Sequence, residues 1–129
     1  MDCIFCQIAS GKLAAEIRYQ DAEVVAFKDI NPQAPVHLLI IPKRHIPSLA
    51  ELNEADLPLM GKLVQVANQL AEEEGLVENG YRLAINCGKW GGQIVPHLHL
   101  HLLGGRGDQL DELLLKLPPV DDGDRYVFG

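Results

Sequence analysis

Residues 97–103 read HLHLHLL, a strict alternation of histidine and leucine over the first six positions. This alternation predicts a β-strand with His97, His99 and His101 on one face and leucines on the other, because successive side chains of a strand point to opposite faces. Along a strand the rings recur about every 6.5–7 Å, a span comparable to a phosphate group with its flanking atoms. Imidazole titrates near pH 6.5, so the row can supply a nucleophile and hydrogen-bond donors together. The stretch therefore predicts a catalytic surface.

Two other interpretations of the histidine row are weaker. A purely structural row would bury three polar rings side by side, which costs free energy unless each ring has a partner. A metal site on the row would commonly include a carboxylate ligand, yet residues 79–107 contain no Asp or Glu. The sequence therefore favours an anion rather than a cation at His99 and His101.

Length and composition predict one domain. A chain of 129 residues, 47% of them hydrophobic, can remove about two-thirds of its unfolded surface from water around a single core. No apolar run approaches the roughly 20 residues of a membrane span, and the N-terminus lacks a signal-peptide pattern, so we expect a cytoplasmic protein without a membrane partner. Three cysteines in such a chain argue against a disulfide framework.

The distribution of charge is more informative than its total. A net charge of −7 makes non-specific binding of nucleic acid unfavourable, because that affinity comes mostly from Lys and Arg. Residues 30–50 and 79–107 nevertheless contain no acidic residue and hold all five histidines of the protein. If these two windows meet in space, they form an anion pocket.

Periodicity and turn signals predict an α+β domain with a mostly antiparallel sheet. The predicted elements are a short helix over 3–10, strands over 17–20, 23–29 and 36–41, a long helix from its N-cap Asn53 to Glu74, a strand over 81–86 and the histidine strand. No internal repeat or linker interrupts them. The chain is therefore predicted to be a single domain, residues 1–129, with residues 107–129 as a divergent C-terminal tail.

Two glycine pairs flank the histidine row, in Gly91-Gly92-Gln93 before it and Gly104-Gly105-Arg106 after it. Glycine permits tight turns and lets backbone N–H groups approach an oxyanion closely. Either pair alone is more often only a turn. Their position around the row makes them candidate parts of an anion site.

On these residues the chain resembles the histidine triad (HIT) family, whose signature is His-φ-His-φ-His-φ-φ with φ apolar. Residues 97–103 match at every position, and residues 26–35, 37–45, 91–93 and 104–106 resemble the Hint branch, the nucleoside phosphoramidases. The likeness covers residues 3 to about 106. It implies a HIT-like fold, with a five-stranded, mostly antiparallel sheet, one long helix and short flanking helices. It also implies that the sheet is extended across a homodimer, and no organic cofactor is expected.

The resemblance implies hydrolysis of purine nucleoside 5′-phosphoramidates, in which AMP is joined to an amine. In the family pattern His99 attacks the α-phosphate and forms a nucleotidyl-histidine, which water then hydrolyses, while His101 and His37 support the reaction. Asp29 corresponds to the ribose-binding acid. The other substrate-binding positions are Phe5, Ile8, Phe27 and Ile30 around the base, and Asn86, Gln93, Ile94 and Val95 near the phosphate. From the residues alone, Asp29 could equally be a turn residue and the four apolar residues ordinary core.

Two further functions stay open. One is a dinucleoside polyphosphate hydrolase of another branch, against which the Gly104-Gly105-Arg106 ending argues. The other is a nucleotide-binding regulatory or scaffold protein whose catalysis is incidental. The chain also departs from some Hint proteins, because Ile94 replaces a serine and residues 107–129 replace a tail with Trp-Pro-Pro.

The resemblance also implies a structural zinc ion. Several HIT proteins bind zinc at positions that correspond here to Cys3, Cys6, His45 and His97. A tetrahedral Cys2His2 set is a closed site with no open position for chemistry. The alternative is a reduced Cys-x2-Cys pair without metal.

Overall fold

The computed structural model describes residues 3–105, which form one five-stranded antiparallel sheet and two α-helices. The strands follow the order β1-β2-β3-β5-β4. The elements are α1 (Ile4–Ala9), β1 (Ile17–Gln20), β2 (Val24–Lys28), β3 (Val36–Pro42), 3₁₀ helices at Leu49–Glu51 and Glu54–Asp56, α2 (Leu57–Glu73), β4 (Arg82–Ala84) and β5 (Leu100–Gly104). The α+β prediction with one long helix is confirmed. The predicted tail, residues 107–129, lies outside the described residues.

Each face of the sheet packs against a different layer. On one face α2 covers leucines and other apolar residues of the central strands, which include Ala26, Ile40 and Leu102. On the other face α1 packs through Phe5 and Ile8 against apolar side chains of β2 and β3. The alternation of side chains in β2 and β3 supplies both layers, because both strands are buried on both faces.

Helix α2 is amphipathic and starts later than predicted. Its buried residues, Leu63, Val66, Ala67, Leu70 and Ala71, recur at the spacing of one helix face. Asn53 does act as a cap, but it caps the 3₁₀ helix Glu54–Asp56, where its side chain accepts from the backbone N–H of Ala55 at 2.9 Å. The α-helix then begins at Leu57 because Pro58, which lacks an N–H, fits only in a first turn.

The histidine strand is shorter than predicted. The predicted strand over 97–103 is wrong at its start, since β5 begins at Leu100 and leaves His97 and His99 before the ladder. In the β3–β5 register Ile40 pairs with Leu100, so Leu98 would face Pro42, which has no N–H to offer. Leu98 instead donates to the carbonyl of Ile46 at 2.7 Å.

The predicted alternation of faces is nevertheless present. Leu98, Leu100 and Leu102 belong to the core under α2, whereas the rings of His97 and His99 contact Phe5 on the opposite side. Strand β4 is also shorter than the predicted 81–86 and covers only Arg82–Ala84. Within the described part of the chain, no helix is long and apolar enough to cross a membrane.

Candidate active site

A cavity of about 640 Å³ opens on the α1 face of the sheet. Every predicted catalytic and substrate-binding residue except Gln93 lines it: Phe5, Ile8, Phe27, Asp29, Ile30, His37, Asn86, Ile94, Val95, His99 and His101. The sheet explains this assembly. His37 and Leu39 share one face of β3, and Leu39 pairs with His101, which in turn pairs with Ala84 of β4. His37, Leu39 and His101 therefore line one cavity although β3 and β5 are far apart in the chain.

His99 is buried and held in one orientation. Its Nδ1 lies 2.7 Å from the carbonyl oxygen of His97, and a carbonyl can only accept, so Nδ1 carries the proton. The neutral ring therefore has its free lone pair on Nε2. Phe5 packs against the ring edge to face at a centroid distance of 5.1 Å, which further restricts rotation. The arrangement presents an unprotonated imidazole nitrogen, the form that can act as a nucleophile.

A second chain of hydrogen bonds fixes His37 and His101. The backbone N–H of Gln33 donates to His37 Nδ1 at 3.0 Å, so the proton of the neutral ring is on Nε2. That Nε2 lies 2.9 Å from His101 Nδ1 and donates to it. His101 then carries its own proton on Nε2. The cavity therefore holds one imidazole with a free lone pair, His99, beside one with an N–H to donate, His101; their ring centroids are 4.9 Å apart.

Burial keeps these imidazoles neutral. It lowers the pKa values of His37 and His99 below that of a free histidine. The pKa of His101 falls to about 4, because of burial first and then of the neighbouring His99 and His37. All three rings are therefore uncharged at neutral pH. Neutral rings keep the tautomers that the hydrogen bonds define.

Asp29 closes a turn and also reaches the cavity. Its Oδ1 accepts from the backbone N–H of Asn31 at 2.8 Å and closes the turn, while Oδ2 lies 3.3 Å from His37 Nε2 inside the cavity. Asp29, His37 and His101 offer donor atoms within 4.8 Å of one another, as a metal site would. A metal on His37 Nε2 would force the proton onto Nδ1, where the N–H of Gln33 already donates. The hydrogen bond from Gln33 therefore favours the hydrogen-bonded histidine pair over a metal ion at these three residues.

The loop before the histidines has a glycine-dependent shape. Gly92 has a φ of +81°, and a side chain at Gly91 would collide with the backbone of Cys87. Gln93 does not line the cavity, because its side chain is bonded to the loop backbone: it accepts from Gly88 N–H and donates to the carbonyls of Pro47 and Val95. Gln93 is therefore the one predicted substrate-binding residue that lies outside the cavity lining.

The four predicted metal ligands meet beside the cavity. Cys3 Sγ, Cys6 Sγ, His45 Nδ1 and His97 Nδ1 lie within 4.8 Å of one another. The two nitrogens are 3.2 Å apart. Cys6 Sγ lies 3.2 Å from His45 Nδ1 and 3.5 Å from His97 Nδ1, and Cys3 Sγ lies 3.3 Å from His97 Nδ1. Tetrahedral zinc would separate such pairs by about 3.3 and 3.5 Å. His97 Nε2 lies 2.8 Å from the carbonyl of Pro42, so the lone pair of the neutral ring is on Nδ1, toward the cluster. The donor set fits zinc.

Sequence reasoning missed several groups of this site. The N–H of Gln33 and the carbonyls of His97 and Pro42 set the tautomers, but they are backbone groups that no residue type could reveal. Leu39 was also missed, although its position two residues after His37 placed it on the same face of the strand. Gly92, from the glycine pair before the histidine row, does line the cavity, as predicted. The other lining residues that were not predicted are Ile4, Leu13, Ala14, Ala15, Lys28, Asn31 and Gln33.

Comparison with known sequences gives consistent relatives. Residues 2–111 match a family model described as "Scavenger mRNA decapping enzyme C-term binding". Protein HitA of Neisseria gonorrhoeae is 48% identical over 103 residues, which are 80% of this chain and 95% of that protein. The purine nucleoside phosphoramidase of Escherichia coli K12 is 46% identical over 105 residues, 81% of this chain and 88% of the relative.

Solved structures share both the fold and much of the sequence. A HIT family hydrolase from Legionella pneumophila superposes with a TM-score of 0.80 at 50% identity, over 81% of this chain and 94% of the other. A zinc-bound histidine triad family protein from Mycobacterium smegmatis has a TM-score of 0.74 at 33% identity, over 93% of this chain and 85% of the other. With the histidine row, the cavity and these relatives together, the chain belongs to the histidine triad family.

Proposed function

We propose that the protein is a cytoplasmic hydrolase of purine nucleoside 5′-phosphoramidates that works through a nucleotidyl-histidine intermediate on His99. The observation that carries this proposal is the hydrogen bond from His99 Nδ1 to the carbonyl of His97, which leaves the Nε2 lone pair free inside the cavity. The naming of the Escherichia coli relative as a purine nucleoside phosphoramidase supports the choice of substrate.

The cavity provides separate surroundings for the base, the ribose and the phosphate. Phe5, Ile8 and Phe27 form a buried apolar wall that suits a purine ring. The Asp29 carboxylate at the cavity wall can accept hydrogen bonds from ribose hydroxyls. Ile30 is 86% exposed, so its contact with a base would be at the cavity mouth. A purine nucleotide thus has its base against α1 and its phosphate toward the histidines.

Three N–H groups can stabilise the phosphate. His101 carries its proton on Nε2 as a result of the His37 contact. The backbone N–H groups of Ile94 and Val95 make no hydrogen bond within residues 3–105, and both residues line the cavity. Donors aimed at phosphoryl oxygens stabilise the charge of the transition state, each contributing about 2.7–4 kcal/mol in comparable sites. Asn86 lines the same region, and its side chain donates to the carbonyl of Gly91 at 2.8 Å.

The reaction then takes two displacements at one phosphorus. His99 Nε2 forms a bond to the α-phosphorus, the bond from phosphorus to the amine nitrogen breaks, and the amine takes up a proton and leaves. Water next attacks the same phosphorus and gives up a proton, the bond to Nε2 breaks, and AMP is released. Splitting the reaction in this way avoids direct attack by water on the substrate.

Zinc, in this proposal, has a structural role. Cys3, Cys6, His45 and His97 would hold the ion and would leave no open ligand position, so it joins α1 to the loop that precedes β5. Two thiolates balance the charge of the ion. The zinc-bound relative from Mycobacterium smegmatis supports this assignment. The ion would thereby keep the His97 carbonyl in place for His99.

We also propose that two chains form a homodimer in which β4 and α2 of one chain contact β4 and α2 of the other. Strand β4 is at one end of the sheet, with β5 as its one neighbour among the described strands, and an open strand edge is a liability unless it is paired or covered. Val64 on α2 is 40% exposed, in keeping with a contact there. Light scattering at micromolar concentration should give the mass of two chains; the mass of one chain would rule the dimer out.

The proposed function is tested with two substrates assayed side by side. Adenosine 5′-phosphoramidate should be hydrolysed to AMP, and diadenosine triphosphate should be a much poorer substrate. The reverse order of kcat/KM would favour the dinucleoside polyphosphate hydrolase. Tight binding of AMP without turnover of either compound would favour a regulatory nucleotide-binding protein.

A further inference from the structure

A second cavity, of about 550 Å³, adjoins the proposed nucleotide site. Its lining residues are Gly88, Lys89, Gly92, Gln93, Ile94 and Pro96. Gly92 and Ile94 also line the nucleotide cavity, so the two cavities meet at the loop whose Ile94 N–H is available to the phosphate. A group attached to that phosphate on the side away from the nucleoside can reach the second cavity.

The second cavity has one charged group. The side-chain amide of Gln93 is already hydrogen-bonded, because its oxygen accepts from Gly88 N–H and its nitrogen donates to the carbonyl of Pro47. The remaining lining residues are glycines or apolar. The Lys89 side chain forms no ion pair or hydrogen bond with residues 3–105. No acidic residue occurs between residues 79 and 107. The cavity therefore combines small and apolar walls with one ammonium group that has no ion-pair partner among the described residues.

We propose that this second cavity receives the leaving amine and that Lys89 selects amines that carry a carboxylate, such as an amino acid joined to AMP through its nitrogen. This inference rests on the proposed phosphoramidase reaction. An N-linked amino acid matches the site because its carboxylate lies two atoms from the nitrogen that leaves, and its side chain can contact Ile94 and Pro96. A neutral amine would find the apolar walls but no partner for its polar end.

The expected preference is modest and depends on salt. Lys89 is exposed, and an ion pair in such a place typically changes an equilibrium by about two- to fivefold. Coulombic selectivity at an exposed site weakens as ionic strength rises, because the Debye length shortens from about 10 Å at 0.1 M to about 3 Å at 1 M. A preference that is present at low salt and lost at high salt is therefore its signature.

The test compares two substrates that differ in charge and hardly in size: AMP joined through nitrogen to glycine, and AMP joined to glycinamide. At low salt the ratio of kcat/KM for the glycine compound to kcat/KM for the glycinamide compound should be about two- to fivefold higher in the wild type than in Lys89→Met. Lys89→Arg should keep the wild-type ratio. Trp90→Ala is the matched control, because Trp90 lies in the same loop, is 97% exposed and lines neither cavity.

The outcomes separate this inference from the proposed function. Hydrolysis of both compounds with the same ratio in the wild type and in Lys89→Met would overturn the role of Lys89 and leave the phosphoramidase intact. No hydrolysis of either compound would overturn both. A ratio that changes equally in Trp90→Ala and Lys89→Met would assign the effect to the loop and would also contradict the role of Lys89.

Discussion

Replacement of His99 by alanine should lower the turnover of adenosine 5′-phosphoramidate by several orders of magnitude while AMP still binds. The variant loses the covalent route itself, because no other unprotonated ring nitrogen faces the phosphate position: His101 Nδ1 accepts from His37, and His97 Nδ1 faces the cysteine cluster. Loss of a single stabilising donor lowers turnover by about 10² to 10³, so the effect at His99 should exceed this range. The measurements are kcat for hydrolysis and calorimetric binding of AMP.

His101→Asn provides the comparison for this prediction. It removes the ring Nε2–H, which the shorter asparagine amide does not replace at the same position, and leaves His99 bonded to the His97 carbonyl, so its turnover should fall within the range for one donor. If His99→Ala kept more than about a tenth of wild-type turnover, a deficit of only about 1.4 kcal/mol, the assignment of the nucleophile would be wrong. Direct attack by water on the substrate would then have to replace it.

The second large effect concerns the cysteine cluster. The double variant Cys3→Ser, Cys6→Ser should purify without zinc and should lose several kcal/mol of unfolding free energy, since a structural zinc site contributes to folding directly. In a domain of about 100 residues each kcal/mol shifts Tm by about 4–8 °C, so Tm should fall by more than 10 °C. Activity should fall as well, because His97 belongs to the cluster and its carbonyl orients His99.

Cys87→Ser is the control for the cluster, because Cys87 is a free cysteine that does not belong to it. This variant should keep about one zinc per chain and a Tm near that of the wild type. Metal analysis of protein purified without added zinc completes the test. Less than a tenth of an ion per wild-type chain, or a Tm unchanged in the double variant, would be incompatible with a structural zinc.

The alternation of leucine and histidine in residues 97–103 was enough to predict which side chains share a face. It was not enough to predict how long the strand is. Leu98, Leu100 and Leu102 lie under α2 as the alternation requires. The ladder nevertheless starts only at Leu100, because Pro42, which lies opposite Leu98 in this register, has no N–H to donate. Which residue lies opposite Leu98 depends on tertiary register, and the sequence of one segment does not contain that information.

The residue types of the site were predictable to a greater extent than their hydrogen bonds. The two segments without acidic residues, 30–50 and 79–107, do meet in the fold, since His37 Nε2 lies 2.9 Å from His101 Nδ1. Gln93 shows the limit of position-based inference, because its side chain is bonded to the carbonyls of Pro47 and Val95 and not directed to the cavity. The tautomers of His37 and His99 depend on backbone groups that only the folded chain brings within reach.

The most direct test of the account is to trap the intermediate. Wild-type protein mixed with adenosine 5′-phosphoramidate, quenched rapidly in base and digested, should carry an adenylyl group on the peptide that contains residues 96–103. The group should be stable in base and labile in acid, as expected for a bond from phosphorus to a histidine nitrogen, and fragmentation should place it on His99. Absence of the adduct during turnover, or its presence in His99→Ala, would contradict the account.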